Sequence, residues 1–144
     1  MVHSTGGAAA LAGAIIIGPR LGRFTKSGAP APLKPFAASS IPLVTIGVFI
    51  LWLGWFGFNG GSQLAMGTAV DAIAVSTIFM NTFLAGAGGV VGAAIITRLH
   101  FGKTDVVQML NGCIGGLVAV TAEPLAPSPL AAILIGAVGG LIVV

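Results

Sequence analysis

Few side chains in this sequence could do chemistry, and nearly all of them sit inside or at the edge of apolar runs. His3 comes first, followed by Ser4, Thr5 and a run of small residues. Imidazole donates from one nitrogen, accepts at the other and titrates near neutral pH. In hydrocarbon such a group is costly unless it faces a bundle interior or a cavity. At a chain end in water, the same start would be only a frayed terminus. The second constellation is Gly54-Trp-Phe-Gly-Phe-Asn-Gly-Gly-Ser62. Its rings can anchor a helix at a membrane interface. They can equally hold a cation on their faces, with Asn59 and Ser62 replacing lost water contacts. Composition leaves both readings open.

Asn81, Thr82, Asn111 and Thr121 lie in or at the ends of other apolar runs. Interhelical hydrogen bonding is the expected role for such groups. Asp71 opens a run, where a first-turn carboxylate is favoured by the helix dipole. Glu123, before Pro124, reads as a solvated loop acid. His100 sits in a basic stretch, and Cys113 is flanked by small apolar residues that point to a packed, inert thiol. There is no catalytic triad, no phosphate-binding loop and no His/Cys/carboxylate set with ligand spacing. Neither an enzyme nor a cofactor is expected.

The elements that must position these groups follow from composition. Of 144 residues, 56% are hydrophobic and only 6% charged, against roughly 25% charged in a soluble domain. That is too little charge to cover a water-facing surface, so the solvent is largely lipid. A net charge of +3, spread along the chain, makes no case for nucleic acid. Five apolar segments stand out: 2–18, 41–59, 70–97, 106–122 and 129–144. Each is continuous and none alternates with period two, which excludes a membrane barrel. The expectation is an all-α, polytopic transmembrane bundle of about five spans.

Orientation follows from the basic residues. Arg20, Arg23, Lys26 and Lys34 fall in the connection 19–40, and Arg98 and Lys103 in 98–105. Two spans separate these connections, so both face one side, which the positive-inside rule makes cytoplasmic. Connections 60–69 and 123–128 carry no Lys or Arg. The protein is expected in the plasma (inner) membrane. The first segment has 17 residues, or roughly 25 Å of helix, which is short for a span. The last runs to Val144 with no polar exit. Both ends read as cut, and the chain as a piece of something longer. Glycines recur at Gly86, Gly88 and Gly89, and with a four-residue spacing at Gly112/Gly116 and Gly136/Gly140. That spacing lets helix backbones approach closely in lipid and points to a tight bundle.

Val2-His-Ser-Thr-Gly-Gly, the aromatic–glycine run 54–62, Asn81-Thr82 and Asn111-Gly-Cys-Ile-Gly-Gly-Leu-Val-Ala-Val-Thr121 occur in an order that resembles the ammonium transporter (Amt/MEP/Rh) family. The resemblance covers nearly the whole chain, as a partial ammonium transporter domain over 1–144. It implies a fold of about eleven helices built from inverted repeats, of which this chain holds the fifth to ninth, and a homotrimer with one pore per subunit. It implies transport of ammonium or ammonia across a lipid bilayer through a histidine-lined hydrophobic pore. His3 matches the first of two pore histidines, and Phe58 one of two phenylalanines gating the outer mouth. Ser62 matches the hydroxyl of the external recruitment site. Trp55 matches a pore-lining tryptophan, and Thr121 a threonine near the path. The family also suggests a regulator of the PII type at the cytoplasmic loops, although no residue here specifies that contact. The second pore histidine and the other gate phenylalanine belong to helices outside this sequence. The expectation is therefore a chain that is incomplete for conduction by itself, with a non-conducting membrane fragment or packing subunit as the alternative.

Overall fold

A computed structural model describes residues 2–19 and 38–144, without the side chains of Val2 and His3. The chain divides into two compact units, Met1–Ala37 and Ala38–Val144. The first contains helix α1, Val2–Ile17. Arg20, Arg23, Lys26 and Lys34, which carry much of the expected orientation, lie outside the described residues.

The second unit is a bundle of four helices: α2 (Ile41–Gly61), α3 (Ala69–Phe101), α4 (Val106–Val120) and α5 (Pro129–Ile142). No strand occurs among the described residues. Two of the helices, α2 with 21 residues and α3 with 33, are long and apolar enough to cross a membrane; α4 and α5 are shorter apolar helices.

The helix starts are set by local chemistry. Ser40 caps α2, its hydroxyl accepting from the Leu43 amide, with a proline in the first turn. Ser128 caps α5 in the same way, and Asp105 caps α4 by accepting from the Gln108 amide at 3.0 Å. Thr68 and Asp71 form a reciprocal capping box at the start of α3. The expected first-turn carboxylate therefore also accepts the Thr68 amide, at 3.0 Å, satisfying donors the helix itself cannot.

At its other end α3 overruns the expected segment 70–97. It continues to Phe101 and stops where Gly102 adopts a left-handed conformation, φ 72°. Arg98 and His100, assigned from sequence to a connection, instead belong to the last turn of α3. A left-handed residue suits glycine, and the Gly102 carbonyl accepts from the Arg98 guanidinium at 2.7 Å. Cations at a helix C-terminus also favour this continuation.

The core is a close crossing of α3, α4 and α5. A Cβ added at Gly116 would meet the Ala85 carbonyl of α3, and one at Gly140 of α5 would meet the carbonyl of Gly89. Gly112 and Gly136 are equally confined, against Ala93 and Ala85. Both four-residue glycine spacings thus face α3. Backbone contact at this range replaces the hydrophobic effect, which does not drive helices together in lipid, and it permits Cα–H···O contacts. Ala85, Ala93 and Ala132 are fully buried along the same crossing.

Helix α2 attaches differently. Its Val48, with Trp52 and Trp55 beside it, packs on Cys113 and Leu117 of α4. The Trp52 ring lies over Gly86 of α3 and stacks on Phe83 at 5.4 Å. Cys113 is a buried free thiol, as expected.

Candidate functional site at the end of helix α2

The last two turns of α2 carry Trp55, Phe58, Asn59 and, at the C-cap, Ser62. Positions 55, 58 and 62 are three and four apart, so their side chains share one helix face. The Trp55 and Phe58 rings meet edge to face, 5.9 Å between centroids at 76°. Phe58 remains 45% exposed. Ser62 is exposed as well, and its hydroxyl donates to the Phe58 carbonyl at 2.7 Å. α2 runs two residues past the expected 59, so Ser62 closes the helix.

Thr121, the C-cap of α4, joins this group. Its Oγ1 accepts from the Trp55 Nε1–H at 2.8 Å. The Thr121 hydroxyl has one proton and two acceptors within reach: the Leu117 carbonyl at 2.7 Å and Asn59 Oδ1 at 3.2 Å. Asn59 Nδ2 in turn donates to Thr82 Oγ1 of α3 at 3.0 Å. Trp55, Thr121, Asn59 and Thr82 thus form a polar chain that links α2, α4 and α3. Asn59 is only 2% exposed and Thr82 is fully buried. The reading of Asn59 as a group that replaces water around a cation is corrected: both ends of its amide are engaged inside the protein. Of the aromatic–glycine run, Phe58 and Ser62 reach the surface and Asn59 does not.

Asn81, next to Thr82, faces another way. Its Nδ2 donates to the carbonyls of Pro124 and Pro127, at 2.9 and 2.8 Å. It bonds the α4–α5 connection rather than another helix, and its Oδ1 is buried with no partner among the described residues. Asn111 departs further from expectation. It is exposed, and its amide Nδ2 donates to Gln108 Oε1 within α4 at 3.5 Å.

The structure therefore brings together four of the five residues singled out from sequence: Trp55, Phe58, Ser62 and Thr121. His3 stands in the first turn of α1, in the other unit, and its side chain is outside the described residues. Sequence reasoning missed the Asn59–Thr82 pairing and the Asn81 clamp. The available signal was the cost of an amide inside an apolar run, which demands partners.

The sequence profile described as Ammonium Transporter Family matches residues 1–144. Among similar proteins, the Ammonium transporter Amt2 of Archaeoglobus fulgidus is 42% identical over 142 residues, 99% of this chain and 29% of that protein. Ammonium transporter 1 member 2 of Arabidopsis thaliana is 36% identical over 152 residues, covering 100% of this chain and 29% of that protein. A solved structure described as a Sensor Amt Protein superposes with a TM-score of 0.86 at 34% identity, over 98% of this chain and 33% of that one. The chain thus spans about a third of the length of these relatives. Over that span sequence and fold agree, and the chain, a membrane helix bundle, belongs to the ammonium transporter family.

Proposed function

We propose that this chain supplies the outer mouth and part of the path by which ammonium or ammonia crosses a lipid bilayer. The observation that carries this reading is the convergence of Trp55, Phe58 and Ser62 at one exposed helix end, in a member of this family. Ring faces attract a small cation, and the Ser62 oxygen can accept from it. A bare charge is expensive at the membrane centre. Ammonium, unlike potassium, can shed a proton and cross as neutral ammonia. The imidazole of His3 is the group in this sequence suited to line that neutral passage. Thr121 holds the Trp55 indole at the path. The mouth faces away from the cytoplasm, and connection 19–40 and the end of α3 with its turn into α4 face into it, from the plasma membrane.

The pore is completed by further protein, in a homotrimer, with cytoplasmic loops open to a PII-type regulator. Conduction by this chain alone is not expected, because it matches only about a third of its relatives. The test is methylammonium uptake, or ammonium-triggered current, in liposomes holding the chain, beside His3→Ala. No uptake from either protein supports an incomplete path. Uptake by the chain that His3→Ala abolishes would show that these helices suffice. Uptake that survives His3→Ala and Phe58→Ala would sink the assigned roles.

A further inference from the structure

We infer that Asn59 and Thr82 are positioning residues for Trp55, acting through Thr121; this rests on the proposal that Trp55 lines the ammonium path. The geometry forms a single chain. Thr82 Oγ1 accepts from Asn59 Nδ2 at 3.0 Å, Asn59 Oδ1 accepts from Thr121 Oγ1 at 3.2 Å, and Thr121 Oγ1 accepts from Trp55 Nε1 at 2.8 Å.

Neither Asn59 nor Thr82 reaches the surface at which Phe58 and Ser62 are exposed, so neither can touch a cation there. Their position is nonetheless decisive. Trp55 lies on α2, the helix attached to the bundle by side chains rather than backbone. An indole ring can turn about two torsions, and its N–H bond to Thr121 selects one orientation. The Thr121 hydroxyl is itself shared between the Leu117 carbonyl and Asn59. Asn59 therefore helps set where the Thr121 lone pairs point. Thr82, on the rigidly packed α3, fixes Asn59. Asn59 and Thr82 are buried, and a buried polar group is costly to leave unpaired. The chain transmits the position of α3 to the ring that the cation or ammonia meets.

Two readouts separate positioning from transport. The first uses the full chain carrying Trp52→Phe in lipid nanodiscs, so that Trp55 is its one indole. The indole N–H proton shift and its exchange rate with water are recorded by NMR. Thr121→Val defines the unbonded signal. Asn59→Ala and the isosteric Thr82→Val are expected to move the signal toward that value and to speed exchange by about tenfold. Thr82→Ser restores it. An indole signal unchanged in both Asn59→Ala and Thr82→Val, with helix content intact, overturns the inference. The second readout is methylammonium transport by this chain in the completed pore proposed above. Thr82→Val is expected to raise KM about tenfold with capacity retained, and Thr82→Ser to reverse the change. A moved indole signal with an unchanged KM overturns the claim that this positioning serves transport. Transport unaffected by Trp55→Ala would instead remove the role assigned to Trp55, and so identifies failure of the underlying proposal separately.

Discussion

The α3–α4–α5 crossing and the attachment of α2 solve the same problem by opposite means. In the crossing, glycines and alanines bring backbones together, so that one added methyl at Gly116 or Gly140 would strike a carbonyl. Along α2, large rings and a few polar side chains span the gap: Trp52 over Gly86, Trp55 to Thr121, Asn59 to Thr82. Backbone contact is unforgiving and fixes shape. Side-chain contact is adjustable and fixes direction. The residues proposed to meet the transported species lie on the adjustable element, braced against the rigid one.

Mutations in the two regions should therefore fail in different ways. The largest effect is expected from Gly116→Leu, which forces α4 away from α3 and should cost about 3 kcal/mol. Denaturant unfolding in mixed micelles would measure it, and near-neutrality would break the picture of a rigid crossing. Thr121→Val should cost about 1–2 kcal/mol in the same assay, because it strands the Trp55 N–H. Its sharper signature is rotation of the ring, seen as a changed near-UV circular dichroism while helix content stays constant. Asn81→Ala removes two bonds to the α4–α5 connection and should cost about 1 kcal/mol. Hydrogen exchange should accelerate at 122–128 and remain unchanged in the α3–α4–α5 crossing. Ser62→Ala is the smallest in stability, within about 0.5 kcal/mol, since its hydroxyl only reaches back to the Phe58 carbonyl. Its expected effect lies in transport: a several-fold rise in methylammonium KM, measured by uptake through the completed pore proposed above.

The two regions were unequally legible. Gly112/Gly116 and Gly136/Gly140 announced a close crossing, because a four-residue spacing of glycine has one main use in lipid. The start of α3 was legible in part: Asp71 is the kind of carboxylate a first turn favours, whereas its reciprocal capping partner Thr68 comes from the structure. The end of α3 is not legible, because a cluster of charge marks a loop as readily as a helix end. Arg98 in fact bonds back to Gly102 and prolongs the helix. The group Trp55, Phe58, Ser62 and Thr121 follows from family resemblance, and the structure supplies its connections. Asn59 could not be resolved from sequence. An amide near rings suits a cation as well as it suits a buried partner, and its partners lie 23 and 62 positions away.

Asn81 and Thr82 are consecutive, and adjacent helical residues point about 100° apart. Asn81 holds the α4–α5 connection through Pro124 and Pro127, while Thr82 holds α2 through Asn59. The offset between those two attachments is therefore set by one peptide unit, about 3.8 Å from Cα to Cα. It does not depend on how far the helices tilt. Bilayers of different thickness change helix tilt and stretch packing contacts, but they cannot stretch a covalent step. α3 thus acts as a gauge block for this end of the bundle: its two anchor points stay one residue apart whatever the membrane, and only the side chains that reach from them adjust.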